Sequence, residues 1–131
     1  MTKLLVLMAL CFQCQAQTLV VHAASWHSMP RPSGAPWNEI NPGIAARWQQ
    51  GELAYQAGIY RDSVAKPTVY ALADWEPISF EQARMGAFIG VQRNDATSPI
   101  AGLVLHRGPV GVRLFPAPKS KGIGIALEFV F

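Results

Sequence analysis

The most constraining feature of this sequence is a regular succession of short segments rich in apolar residues, called runs here, that are separated by turn-forming residues. The segments between the runs are rich in Gly, Pro, Ser, Asn and Asp, which favour turns. This rhythm predicts eight strands. The 11 Gly and 10 Pro among 131 residues also exclude a bundle of long helices, because both residues interrupt helix interiors. The predicted strands are 18–27, 38–48, 52–62, 67–75, 82–92, 99–106, 109–115 and 123–131.

Several runs alternate between apolar and small or polar residues, as strands with two different faces do. The last run places Ile123, Ile125, Leu127 and Phe129 on one face and Glu128 with small residues on the other. Runs 52–62 and 82–92 alternate in the same way. In a soluble barrel or sandwich the apolar face would point inward, whereas in a transmembrane barrel it would point outward to lipid.

Aromatic residues at the ends of the runs favour a transmembrane barrel over a soluble one. Trp26, Trp37, Trp48 and Trp75 all fall at run ends, where the aromatic girdles of a membrane barrel lie. The chain ends on Phe131, an aromatic end that is typical of outer-membrane barrels and that their assembly machinery would engage. Strands of about ten residues are long enough to cross a bilayer. We therefore predict an all-β fold, a small eight-stranded antiparallel up-and-down β-barrel in the outer membrane. A soluble exported barrel, periplasmic or secreted, is the alternative.

The N-terminal residues have the pattern of a secretory signal peptide. Lys3 precedes an apolar run over 4–12, and small residues precede a cleavage position after Ala16. The predicted organisation is a signal peptide over 1–16, with cleavage as late as residue 24 as a second possibility, and a barrel domain over 17–131. Cys11 and Cys14 would leave with the signal, so we expect neither a disulfide nor a thiolate metal site in the mature chain.

The net charge of the chain and the spacing of its histidines limit the partners and cofactors that can be expected. Eleven Lys and Arg stand against eight Asp and Glu, a small and dispersed excess that does not predict nucleic-acid binding. His22, His27 and His106 lack the spacing of a metal site, and no cofactor-binding motif stands out. The expectation is a protein without metal or cofactor.

Three residues with catalytic chemistry are predicted to share one rim of the barrel. With both termini periplasmic, the connections 28–37, 63–66, 93–98 and 116–122 face outside, and the turns 49–51, 76–81 and 107–108 face the periplasm. His27, Asp62 and Ser63 then meet at the outer rim, where Ser is a candidate nucleophile, His its base and Asp the group that orients the imidazole. The alternative is structural: Asp62 and Ser63 start a turn, and His27 is an interfacial polar residue.

A block of motifs resembles the outer-membrane lipid A palmitoyltransferases, which are eight-stranded barrels. The resemblance implies transfer of a palmitoyl chain from a phospholipid to lipid A, with His27, Asp62 and Ser63 at the catalytic positions. Membrane phospholipid and lipopolysaccharide are the partners that it implies. The residues that carry it are Trp26-His27, Trp37-Asn38-Glu39, Gly43, Arg47-Trp48, Tyr55, Arg61-Asp62-Ser63 and Trp75-Glu76.

The chain also departs from that family. It is shorter, and its first strand follows the signal directly, without an amphipathic helix before it. Short barrels encoded in phages and prophages are similar too, with matching residues near Asn41-Pro42-Gly43 and Tyr60 to Ser63. A non-enzymatic, phage-derived barrel that alters the envelope or binds an envelope partner is therefore the alternative function.

The predicted interior allows two kinds of barrel. Small inward residues would leave a slot for an acyl chain, or a narrow barrel would be filled by its side chains. The charged and polar inward residues are expected at the periplasmic side, paired with one another. The small and apolar inward set is Ala54, Gly58, Gly86, Phe88, Gly90, Gly102, Gly124 and Ala126, and the polar set is Glu52, Gln56, Arg84, Arg113 and Glu128.

Overall fold

A computed structural model describes residues 17–117 and 121–131, and these form a closed eight-stranded antiparallel barrel. The predicted all-β, up-and-down architecture is confirmed. The predicted signal peptide lies outside the described residues, and within them no helix is long and apolar enough to cross a membrane. The strands are β1 Gln17–His27, β2 Ile40–Gln50, β3 Leu53–Arg61, β4 Pro67–Phe80, β5 Ala83–Arg93, β6 Thr97–Arg107, β7 Val110–Ala117 and β8 Gly122–Val130.

Closure of the barrel is made by the first and last strands. Each strand pairs with its neighbour in sequence, and β1 also pairs with β8, for example Val20 with Val130. Beyond the last registered pair, the backbones of Leu19 and Phe131 exchange two hydrogen bonds, of 3.1 and 2.9 Å. Because the described sheet closes on itself, each strand has a partner on both sides, and the registered pairing between β6 and β7 runs from Leu103–Arg107 to Val110–Leu114.

The fourth strand is longer than its sequence predicted. The expected turn 76–81 is wrong: β4 continues to Phe80, and the turn comprises Glu81 and Gln82. Pro77 lies within the expected turn, but the structure places it in a bulge between Trp75 and Ile78, where a strand tolerates proline. Gly86 faces this bulge, and a Cβ atom there would lie 1.7 Å from the carbonyl oxygen of Trp75.

The polarity of the barrel is inverted relative to a soluble protein. Among the described residues, eleven polar or charged residues are buried, whereas eight apolar residues are. In the same part of the chain, twenty large apolar side chains are exposed on the outside, among them Ile40, Ile44, Ile59, Ile89 and Leu103. The apolar face of the alternating runs therefore points outward, and the polar face points inward.

An ionic network fills the half of the interior nearest Gln17 and Phe131, called here the lower end. Arg113 donates hydrogen bonds to Asp74 at 2.6 and 3.0 Å and to Glu128 at 3.0 Å. Arg47 pairs with Asp74 and with Glu76. These contacts confirm that the inward charges pair with one another, since burying them singly would cost several kcal/mol.

The structure bears on two further residues that were predicted to point inward, Arg84 and Glu52. Arg84 reaches the lower mouth, where it contacts Glu76 at 3.4 Å and donates to Gln49 at 3.1 Å. Glu52 does not point inward as expected. It lies exposed in the turn between β2 and β3 and accepts a hydrogen bond from Trp75 Nε1 at 3.3 Å, because β3 begins only at Leu53.

Candidate functional site

The three candidate catalytic residues lie at the end of the barrel opposite Gln17 and Phe131, called here the upper rim. His27 is the last residue of β1, and Asp62 and Ser63 directly follow the last residue of β3. Beyond the register shift in β1 between His22 and Ala24, Ser25 becomes buried and His27 half-buried, so β1 presents a hydroxyl and an imidazole on one face.

Asp62 organises the loops of the upper rim. Its Oδ1 accepts hydrogen bonds from the backbone N–H groups of Val64 at 3.0 Å and Lys66 at 2.8 Å. Its Oδ2 accepts from Thr68 Oγ1 at 3.0 Å and from Asn94 Nδ2 at 2.8 Å. Both carboxylate oxygens are therefore engaged by the 62–68 segment and by the loop after β5, which fixes these two loops to each other.

These four hydrogen bonds also set the charge of Asp62. Burial alone raises the pKa of its carboxyl group, but the donors from Lys66, Asn94, Thr68 and Val64 together lower the pKa below its usual range. Asp62 is thus held as a carboxylate, which accepts hydrogen bonds only.

The depressed pKa of Asp62 predicts a pH-dependent stability difference. The unfolded state takes up a proton at higher pH than the folded state does, so the stabilisation is present above the usual Asp pKa and is lost as pH falls through the folded value. We expect Asp62→Asn to lower the free energy of unfolding by about 2 kcal/mol at neutral pH. Denaturant unfolding should show this deficit shrinking toward zero in acid. Asp95→Asn is the control, since Asp95 is exposed and its ion pair with Lys66 should contribute no more than about 1 kcal/mol. An equal, pH-independent loss in both variants would contradict the assignment.

Ser63 is held by β1 and by the loop before β2. Its Oγ lies 3.1 Å from the Oγ of Ser25, and either hydroxyl can be the donor. Its carbonyl oxygen accepts from the backbone N–H of Asn38 at 2.8 Å, and the Asn38 side chain donates to the Asp62 carbonyl at 3.0 Å. The backbone at Ser63 is therefore fixed at two neighbouring peptide groups.

His27 is held by aromatic contacts. Its ring stacks on Trp37 with centroids 4.1 Å apart and meets Phe115 edge-on at 6.4 Å. Arg31 covers Trp37, with its guanidinium carbon 5.6 Å from the ring centroid. Nδ1 of His27 is buried and has no hydrogen-bond partner within 17–117 and 121–131. The aromatic contacts thus fix the ring in position, and its buried Nδ1 is left without a partner among the residues described.

The structure places the three predicted residues on one rim but gives each different partners. Asp62 bonds to its own loop and to Asn94, Ser63 to Ser25, and His27 stacks on Trp37. Among the described residues, no hydrogen bond joins these three side chains to one another. Sequence reasoning missed Ser25, although its place two residues before His27 on a strand would have put both on one face.

Aromatic and polar side chains fill the interior below the rim. The rings of His22, Tyr60 and Tyr70 contact one another with centroids 5.3 to 5.6 Å apart. The Tyr70 hydroxyl lies 2.6 Å from His22 Nε2 and accepts a hydrogen bond from Gln56 at 2.7 Å. Of the two interiors left open by the sequence, these contacts favour the barrel that is filled by its own side chains.

The part of the chain that the structure describes contains no group of three or more His, Cys, Asp or Glu residues placed to hold a metal ion. In comparisons with known proteins, no family model matches this chain, and no curated protein matches it either.

Proposed function

We propose that the protein is an integral outer-membrane barrel that transfers acyl chains between lipids at its upper rim. The observation that supports the membrane location is the inverted polarity: within 17–117 and 121–131, twenty large apolar side chains are exposed around a closed barrel that buries eleven polar ones. In water this outside would be an extensive apolar patch, whereas in a bilayer it is the surface that lipid tails contact. The fold also pairs all strands within the barrel, as a bilayer requires.

The proposed chemistry uses Ser63 and His27. The Ser63 hydroxyl attacks the ester carbonyl of a phospholipid, and His27 takes up the hydroxyl proton. When the ester bond breaks, His27 returns that proton to the departing lysophospholipid oxygen, leaving an acyl-Ser63 ester. A hydroxyl of the acceptor lipid then attacks this ester by the reverse sequence, with lipid A as the acceptor implied by the sequence resemblance.

Asp62 enters this reaction through its loop. Its four hydrogen bonds fix the segment on which Ser63 lies, so Asp62 positions Ser63. The free protein pairs Ser63 with Ser25, so substrate binding must turn the Ser63 hydroxyl toward the imidazole before it can react.

A second candidate function is a non-enzymatic envelope barrel that alters the cell surface or binds an envelope partner. The engagement of Asp62 favours it, because both carboxylate oxygens are already occupied by loop groups and neither is directed at the imidazole. In this case His27, Asp62 and Ser63 shape the loops of the rim.

Substitutions at the rim separate the two functions. We expect Ser63→Ala and His27→Ala each to lower acyl transfer from a radiolabelled phospholipid in mixed micelles by about a hundredfold or more, because each removes a reacting group. Ser79→Ala is the control, since Ser79 is exposed near the lower end of β4. Wild-type protein that folds but transfers no acyl group, or variants with full activity, would exclude the enzyme and favour the envelope barrel.

A further inference from the structure

The lipid substrate needs a place for its acyl chain, and the interior does not offer one below the rim. His22, Tyr60 and Tyr70 contact one another across the lumen, and beneath them the ionic network of Arg113 and its partners follows. A hydrocarbon chain there would separate hydrogen-bonded and charged groups without replacing their partners, which is costly.

A groove of about 750 Å³ lies instead in the wall formed by β1, β2 and β3. It opens on the outer face, because its lining includes Ile44 and Ile59, whose side chains are 58% and 47% exposed. Val21 and Pro42 add apolar surface. Its volume falls within the range of small-molecule sites, about 300 to 1,000 Å³. We call it the wall groove.

The backbones of β2 and β3 approach each other closely at the wall groove. Gly43 pairs with His22 on β1 and with Tyr60 on β3, and all three line the groove. A Cβ atom at residue 43 would lie 2.4 Å from Cβ of Tyr60, so the close approach of β2 and β3 requires glycine here. The register of these three strands therefore determines the position of the wall groove.

The upper end of the wall groove is formed by the segment that carries Ser63. Arg61 and Ala65 both line the groove and lie two residues to either side of Ser63. The Nε group of Arg61 donates to the carbonyl oxygen of Ala65 at 3.2 Å, which holds the guanidinium beside this loop. An arginine at the head of an apolar groove matches a lipid with one phosphate above its acyl chains.

We propose that the wall groove binds the acyl chain of a glycerophospholipid from the bilayer side, with its phosphate on Arg61, beside the loop that carries Ser63. This inference rests on the proposed function, because it supplies the donor site of the same rim. Of the described residues that line the groove, Arg61 is the one Lys or Arg, which suits the one phosphate of a glycerophospholipid. The acyl chain then lies outside the barrel, so the size of the lumen does not determine which chain lengths bind.

Photocrosslinking in vesicles tests the groove without requiring turnover. The full chain is refolded in phosphatidylcholine vesicles that contain phosphatidylglycerol with a diazirine in its acyl chain. In parallel samples, diacylglycerol with the same label replaces the phosphatidylglycerol. Peptides with Val21, Ile44 or Ile59 should be labelled about tenfold more by the phosphate-bearing probe, as one charge-assisted hydrogen bond predicts. Arg61→Gln should remove this preference, and Arg93→Gln should retain it, because Arg93 lines a separate, smaller groove.

Other labelling patterns would overturn the proposal. Equal labelling around the outside of the barrel, or a preference that survives in Arg61→Gln, would show that the wall groove is ordinary lipid-facing surface. Labelling of the inward residues Leu72 or Phe115 would place the chain in the lumen. Ile44→Trp should narrow the groove and reduce its labelling, whereas Ile89→Trp, on another wall, should not. Labelling measures binding alone, so lipid binding in the wall groove can be found in a protein that transfers no acyl group. Acyl transfer can equally be found in a protein whose wall groove is not labelled.

Discussion

Replacement of Arg113 by methionine is expected to lower the free energy of unfolding by about 3 to 5 kcal/mol. Arg113 donates to Asp74, Glu128 and Gln56, and its side chain is only 6% exposed. Methionine fills a similar volume but leaves two carboxylates facing each other in a closed interior, without their shared cation. Denaturant unfolding in detergent micelles, followed by tryptophan fluorescence, measures the loss.

The matched control for this substitution is Arg107→Met. Arg107 is the exposed last residue of β6, so its loss should change stability by no more than about 0.5 kcal/mol. Similar, small losses in both variants would mean that the shared cation contributes little and that the remaining partners of Asp74 and Glu128, Arg47 and His106, suffice.

Ile89→Arg is expected to destabilise the folded barrel in a bilayer by about 2 to 4 kcal/mol. Ile89 lies near the middle of β5 and is 67% exposed. If this surface faces lipid, a guanidinium there must enter the hydrocarbon region, whereas at a water-exposed surface the change would cost no more than about 0.5 kcal/mol. The measurement is denaturant unfolding of the protein refolded in phospholipid vesicles.

The control for Ile89→Arg differs only in depth along the barrel. Ile40 is 72% exposed and is the first residue of β2 at the upper rim. Ile40→Arg should cost no more than about 1 kcal/mol, because penalties for charge fall toward the membrane interface. Equal, negligible costs at both positions would place the outside of the barrel in water.

Much of the fold could be predicted from the sequence because strand period and turn chemistry are local properties. The alternation over 52–62 fixed which residues share a face, and Ala54 and Gln56 are indeed buried while Tyr55 is exposed. The end of β4 was missed because Pro77 reads locally as a turn residue. Its place in a bulge depends on pairing with β5, which local sequence does not reveal.

The contacts of the candidate site were harder to predict, because they depend on residues that are distant in sequence. The rim that holds Asp62 and Ser63 followed from strand order alone. That Asp62 binds Asn94 depends on how two loops lie together, and that Ser63 meets Ser25 depends on a bulge in β1. Side-chain partners across a barrel are set by register between strands, which a single sequence does not encode in any short pattern.

Flotation of the refolded chain with phospholipid vesicles after an alkaline carbonate wash tests most directly whether the apolar outside of the barrel faces lipid. Peripheral proteins are released by this wash, whereas a barrel whose exposed Ile, Leu and Val side chains contact lipid tails remains inserted. We predict that the folded protein floats with the vesicles. Folded, monomeric protein left in the aqueous fraction without detergent would contradict membrane insertion and identify a soluble barrel.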